Sequence, residues 1–150
     1  MRLFILMLSL VMIGCVNAEA PYKFMSEKNA VGYTGEVIMQ SVKSWRYVGS
    51  IKNGKPHGHG VKILESGMVI YGEWVEGELN GNGAMYTPAP FGGLTAGSYK
   101  QNEVVGDAVL IIEGEAIEGP FGKFGVPHGK AMCVKEGVKK ACEFNHGEKI

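Results

Sequence analysis

Residues 47–60 read YVGSIKNGKPHGHG, and residues 70–83 read IYGEWVEGELNGNG. Four glycines of the first stretch recur 23 residues later in the second, since Gly49, Gly54, Gly58 and Gly60 are followed by Gly72, Gly77, Gly81 and Gly83. A fixed frame of this kind indicates an internal repeat, in which each unit is one structural element stacked on the next. The whole chain has 150 residues, enough for one domain, and its 23 glycines suit a protein with many tight turns.

Each unit is predicted to form one β-hairpin. Alternation along the first strand places Tyr47, Gly49 and Ile51 on one face of the sheet. Residues 54–58 are predicted as the turn, because glycine tolerates positive φ and proline fixes φ. Residues 60–64 then form the return strand. The predicted fold class is all-β, an elongated single-layer antiparallel meander of stacked hairpins.

Weaker units follow the first two. Residues 88–93 lengthen a loop and shift the frame by two, residues 124–131 repeat the pattern of 53–60, and residues 142–147 repeat that of 72–77. The residues assigned to the repeat frame are Tyr47, Gly49, Ile51, Gly54, Gly58, Gly60, Ile70, Gly72, Trp74, Gly77, Gly81, Gly83, Gly97, Tyr99, Gly106, Gly125, Gly129, Phe144 and Gly147.

Large apolar side chains recur at one position of the frame. They form a predicted column on one face, made of Ile51, Trp74, Tyr99, Phe121 and Phe144, with Phe121 requiring a one-residue adjustment. In the first three units a glycine stands two residues earlier on the same face, so that a neighbouring ring can lie against bare backbone. Two interpretations remain open for this column, an intramolecular core and a contact surface for a partner.

This frame resembles the MORN repeat, whose consensus runs Tyr-x-Gly-x-aromatic-x-x-Gly-x-x-x-Gly-x-Gly. The resemblance extends over residues 47–147 and is strongest in the first two units. MORN arrays are associated with protein scaffolding and with acidic phospholipids. The resemblance therefore implies an interaction module that binds a protein partner or itself through its sheet, with a peripheral membrane protein as the alternative.

The first 18 residues predict an export signal. Arg2 supplies a positive start, and the apolar run 3–13 is too short to span a bilayer. Val16-Asn17-Ala18 favours cleavage after Ala18, whereas Met12-Ile13-Gly14-Cys15 resembles a lipobox that would leave a lipidated Cys15 at the new N-terminus. A third alternative, an uncleaved anchor helix, is disfavoured by the short apolar run. All three place the domain outside the cytoplasm, in the periplasm or envelope of a bacterium or otherwise secreted.

The remaining chain divides into two parts. Residues 19–44 are predicted as a lead-in or tether with a degenerate first strand, and residues 45–150 as the repeat domain. Cys133 and Cys142 remain after the signal, and an even count in an exported chain predicts a disulfide. A hairpin turn centred on Gly137-Val138 would place these two cysteines directly opposite each other, where a disulfide would staple the last hairpin.

No catalytic constellation is found, and no cofactor is expected. The chain lacks a Gly-x-Ser-x-Gly motif and a His-Glu-x-x-His motif, and Asp107 is its single aspartate. His57 and His59 share a face of an extended strand, but a metal site would need a third ligand. Because His57 and His128 occupy the same repeat position, a role in the turn is favoured over metal binding.

Charge is distributed unevenly along the chain. Residues 19–62 carry seven basic and three acidic side chains, residues 63–118 one and nine, and residues 119–150 six and three. The acidic middle would be repelled by an anionic bilayer, which favours a protein partner over a lipid. Membrane attachment stays open through a lipidated Cys15 or through the basic ends, and no bulk positive charge indicates nucleic acid.

Overall fold

The computed structural model describes residues 22–42, 44–90 and 92–150, so the predicted signal and Cys15 lie outside the described residues. These ranges contain twelve strands and two short 3-10 turns (η1 and η2), and no helix in them has the length and hydropathy to span a membrane. The elements are β1 Lys23–Ser26, η1 Glu27–Ala30, β2 Gly35–Gln40, β3 Trp45–Lys52, β4 Lys55–Leu64, β5 Val69–Val75, β6 Glu78–Thr87, β7 Gly93–Lys100, β8 Glu103–Ile112, β9 Glu115–Phe121, η2 Lys123–Gly125, β10 Gly129–Lys135, β11 Val138–Asn145 and β12 Glu148–Lys149.

All twelve strands belong to one sheet and lie in the order of the sequence. Neighbouring strands are antiparallel except β1 and β2, which pair in parallel across the connection that contains η1. The predicted all-β meander of hairpins is therefore confirmed. Within residues 19–44, β1 and β2 add two strands to the sheet ahead of the first clear unit.

The hairpin of the first clear unit turns at Asn53 and Gly54, with φ of 50° and 80°. Positive φ at both central residues is typical of the two-residue turns that match the twist of paired strands. The prediction of a turn over residues 54–58 is wrong, because Pro56 already lies in β4 and pairs with Ile51. Gly58, with φ of 71°, faces the point where the pairing of β3 with β4 shifts, so it accommodates a bulge.

The glycines of the frame thus serve three structural purposes. Turn positions with positive φ recur at Gly54, Gly77, Asn102, Gly125 and Gly147, and a second set with positive φ recurs at Gly58, Gly81, Gly106 and Gly129. A third set runs across the sheet as directly paired neighbours. We call it the small-residue row, and its members are Gly49, Gly60, Gly72, Gly83, Gly97, Ala108, Gly119, Ala131 and Cys142.

The last full hairpin contains the disulfide between Cys133 and Cys142. Its turn lies at Glu136 and Gly137, with φ of 52° and 77°, one residue earlier than predicted. Cys133 consequently pairs with Lys140, and the disulfide crosses the two strands diagonally over a Cα–Cα distance of 5.9 Å. The predicted direct opposition was wrong because a turn at Gly137-Val138 would require positive φ at a β-branched residue.

Candidate functional site

The predicted aromatic column lies on one face of the sheet and is buried. Ile51 and Trp74 are each 2% exposed, Tyr99 4%, Phe121 8% and Phe144 5%. The first four belong to one core cluster, and Phe144 belongs to a smaller cluster with Ile117, Ala131 and Cys133. Interpreting the column as a contact surface is therefore wrong, since these side chains cannot reach a partner.

The large rings of the first two units cover the small-residue row. A Cβ at Gly60 would overlap the ring of Tyr47, which is fully buried. Trp74 Nε1 donates to the carbonyl of Gly60 at 3.0 Å, and the two rings meet edge to face with centroids 5.7 Å apart. Tyr47 also donates from its hydroxyl to the carbonyl of Ser50 at 2.8 Å. Burial, followed by the negative charge of Glu36, raises the pKa of Tyr47 above its ordinary value.

Lys62 lies on the same face, between Tyr47 and Ile70 in the cross-strand pairing. Its Nζ lies 4.9 Å from the ring centroid of Trp45 and 6.0 Å from that of Trp74. Burial lowers the pKa of Lys62, and the charge of Glu27 opposes that shift. The aliphatic stem therefore covers core surface while the ammonium is held by aromatic faces.

A second buried column escaped the sequence analysis. It consists of Pro56, Leu79, Val104 and Pro127, which pair across the hairpins with Ile51, Trp74, Tyr99 and Phe121. Leu79 is fully buried, and its Cδ1 would lie 2.9 Å from a Cβ at Gly72. The signal was present in the sequence, because Pro56, Leu79 and Val104 are separated by the same 23 and 25 residues as the rings.

Hydrogen bonds between successive turns tie this column together. The backbone N–H of Gly77 donates to the carbonyl of Pro56 at 2.9 Å, and that of Asn102 donates to Leu79 at 3.0 Å. The side chain of Asn102 also accepts from the N–H of Leu79 at 2.9 Å. The turns at Gly77 and Asn102 are thus each fixed to the return strand of the preceding unit, which sets the stacking of these hairpins.

The opposite face of the sheet carries an exposed apolar surface. Ten side chains on five consecutive strands form a continuous grid of two rows, which we call the outer patch. Its members are Val61, Ile63, Val69, Tyr71, Ala84, Tyr86, Leu94, Ala96, Val109 and Ile111. The most exposed are Tyr71 at 55% and Tyr86 and Ile111 at 46%. No residue of the described chain covers this grid with another layer, since the twelve strands form a single sheet.

The histidines are placed by the turns and strand surfaces. His146 N donates to Nδ1 of His128 at 3.3 Å, which ties the last turn to the preceding unit. His59 Nε2 lies 3.6 Å from a carboxylate oxygen of Glu73. Within residues 22–42, 44–90 and 92–150, no group of three or more His, Cys, Asp or Glu side chains is arranged to hold a metal ion.

Comparison with known proteins is consistent with this geometry. No curated protein matches the chain. The family model of the MORN repeat matches residues 47–69 and 71–88. These ranges correspond to β3–β4 and β5–β6, the two hairpins whose rings cover an all-glycine stretch of the small-residue row. Residues 47–69 and 71–88 are therefore similar to MORN repeats, as the glycine frame predicted.

Proposed function

We propose that this protein is an exported, non-catalytic interaction module that binds a protein partner or a second copy of itself through the outer patch. The observation that carries the proposal is the grid of apolar side chains on the solvent side of the sheet. Contiguous exposed apolar surface of this kind marks interaction sites in soluble proteins. The aromatic rings of the repeat frame are buried in the core, where they stabilise the sheet whose opposite face carries the patch.

The charge around the patch favours a protein over a bilayer as the partner. Glu73 and Asp107 lie on the same face as the patch, and Glu65 and Glu113 lie in the turns beyond it. An anionic membrane surface would be repelled by these carboxylates. A protein surface offers apolar contact without that repulsion.

Pull-down experiments with outer-patch variants test the proposal. Tyr71→Thr combined with Tyr86→Thr removes both rings while retaining side chains that favour strands. We expect this variant to fold, with unchanged far-UV circular dichroism, and to lose the partners that the wild type captures from native envelope or secreted fractions. A matched control, Val31→Thr with Val138→Thr, removes two exposed apolar side chains outside the patch. Equal capture by both variants and the wild type would contradict the proposed surface.

Export is proposed from the N-terminal sequence and supported by the disulfide. A bond between Cys133 and Cys142 suits an oxidising compartment such as a periplasm or the extracellular space. Mass spectrometry of the native N-terminus distinguishes a start at Glu19 from a lipidated Cys15. A chain that retains Met1 in the cytoplasm, with both thiols free, would contradict export.

A further inference from the structure

We infer that the outer patch pairs with the outer patch of a second copy, so that two sheets pack face to face with their strands crossing at about 90°. This inference rests on the proposed function and names the partner of the same surface. A two-fold arrangement brings the same patch of both chains together, and such an interface must be complementary to itself.

The size of the patch suits a dimer. Its five most exposed side chains, between 37% and 55% exposed, leave on the order of 500 Å² of apolar surface in contact with water. That area is near the upper end for monomeric proteins, and with its polar border it approaches the roughly 800 Å² per partner of a standard interface.

The shape of the patch is complementary to itself, because it contains both protruding rings and a hollow. Ala84 and Ala96 pair with each other at its centre and form a shallow hollow. Tyr71 pairs with Ala84 on one side, and Tyr86 lies two residues along the same strand, so both rings border the hollow. A two-fold axis can therefore place the rings of one copy over the alanines of the other.

Charged residues border the patch in an unequal pattern. The two borders that cross the ends of the patch along the strand direction are both acidic. Glu73 and Asp107 lie at one of these borders, and Glu65 and Glu113 lie at the other. His59 adjoins the first side through its contact with Glu73.

The two remaining borders, along β3 and β9, differ from the acidic ones, because one carries a basic residue and the other an ion pair. Arg46 pairs directly with Ile63 at the edge of the patch. At the opposite edge, Val109 pairs directly with Glu118, whose charge is compensated by Lys139 of β11 at 3.7 Å.

This pattern selects the crossing angle. If the strands of two copies were aligned, the two-fold axis would run either parallel or perpendicular to the strands. In both cases an acidic border of one copy would lie over an acidic border of the other. If the strands cross at about 90°, one acidic border of each copy faces the edge that carries Arg46 in the other, and the second faces the edge where Lys139 compensates Glu118. Opposite charges across an interface favour one orientation and suppress its competitors.

Sedimentation velocity of the natively processed, oxidised protein tests the dimer. We expect the wild type to dimerise reversibly in the micromolar range. Tyr71→Thr with Tyr86→Thr should raise the dissociation constant at least about tenfold, because buried aromatic rings dominate such interfaces. The Val31→Thr, Val138→Thr control should dimerise like the wild type. A wild type that stays monomeric at 500 µM (about a hundred times the expected constant), or a dimer that tolerates loss of both rings, would overturn the inference.

Charge reversal tests the crossing. Arg46→Glu should weaken the dimer several-fold at low salt, and adding Glu113→Lys or Glu73→Lys should restore it. If Arg46→Glu leaves the dimer unchanged, or if no acidic-border reversal rescues it, crossed packing is overturned even though the patch is the interface.

The two proposals fail separately. A monomeric wild type that still captures a protein through Tyr71 and Tyr86 overturns the self-association and leaves the proposed function standing. Capture of protein partners that is indifferent to both rings, combined with a dimer that needs them, overturns partner binding at this surface and supports self-association.

Discussion

The first two units and the last hairpin build the same core face by different means. In β3–β6 the small-residue row consists of four successive glycines, Gly49, Gly60, Gly72 and Gly83. From β7 onward the row also contains larger residues, because Gly97 pairs with Ala108, and Ala131 pairs with Cys142. The row stays free of side chains where large rings lie on it and admits methyl groups where they do not.

The covering groups differ accordingly. Tyr47, Trp74 and Leu79 cover the row in the first two units. At the end of the sheet the disulfide covers it, with Cys142 in the row and Cys133 beside it. Cys133 follows Lys62, Met85 and Leu110 at the repeat spacing, so a covalent bond occupies the position that long flexible side chains fill elsewhere. In the described sheet the second side of this hairpin pairs only with the two-residue strand β12, and the crosslink adds stability there.

The largest expected difference between the two regions is in the cost of removing a ring. Trp74→Ala should lower the free energy of unfolding by about 3–5 kcal/mol, because it opens a cavity and removes the bond to Gly60. Phe144→Ala should disturb the small terminal cluster with a lower global cost. Urea denaturation measures both, and equal costs would contradict a core concentrated in the first units.

Adding a methyl group to the row sharpens the comparison. Gly60→Ala should cost about 3 kcal/mol, because the fully buried Tyr47 ring occupies the space that its Cβ needs. The row already contains alanine at position 131, where Ala131→Gly should cost only about 1 kcal/mol. A Gly60→Ala protein with unchanged urea midpoint would show that the ring moves aside freely.

Removing the disulfide tests how much it stabilises the last hairpin, β10–β11. Cys133→Ala with Cys142→Ala should cost about 2–3 kcal/mol from the lost restriction of the unfolded chain. Hydrogen exchange should lose protection in β10–β12 while β3–β6 stay protected, since stacked units contact only their neighbours. Uniform loss of protection over all strands would refute that independence. Reductant should reproduce the effect in the wild type and leave the variant unchanged.

Tyr47→Phe probes the polar side of the ring packing. Loss of the hydroxyl bond to Ser50 should cost about 1 kcal/mol at neutral pH. The pKa of Tyr47 is raised in the folded state, so its contribution is present below the ordinary value of about 10 and is lost as pH rises above it. The variant should therefore lose less stability than the wild type above that pH. A parallel decline of both proteins in alkaline urea titrations would count against this assignment.

The smallest expected effect concerns the surface ion pair between Lys149 and Glu115. Lys149 Nζ donates to Glu115 at 2.7 Å, and this bond lowers the pKa of the Glu115 carboxyl. Lys149→Met should cost a few tenths of a kcal/mol near neutral pH. Because the folded pKa is depressed, the difference should vanish as pH falls below the ordinary carboxyl range, near 4. Lys55→Met, at the more open 3.4 Å pair with Glu76, is the matched control and should change less.

Much of the fold follows from residue spacing. The recurrence of Gly49, Gly54, Gly58 and Gly60 specifies stacked hairpins. Each of these glycines lies in a turn, in a bulge or where another part of the chain approaches too closely for a side chain. The second column of Pro56, Leu79 and Val104 was equally accessible from spacing and was missed because proline was assigned to a turn. The turn at Glu136-Gly137 was predicted one residue too late, because the turn was positioned to place the two cysteines opposite each other. That position would have required positive φ at Val138, which a β-branched residue disfavours.

By itself, the sequence determined that the chain is a β meander, which residues recur, and that Cys133 and Cys142 can meet. These properties are local, since they depend on periodicity and on backbone angles within one hairpin. Only the tertiary structure decided which face is covered. Burial depends on how successive hairpins stack, and that stacking places Trp74 and Tyr99 in the core and leaves Tyr71 and Tyr86 in solvent. Alternation separates the two faces of a strand, and the packing of neighbouring units determines which of them remains available to a partner.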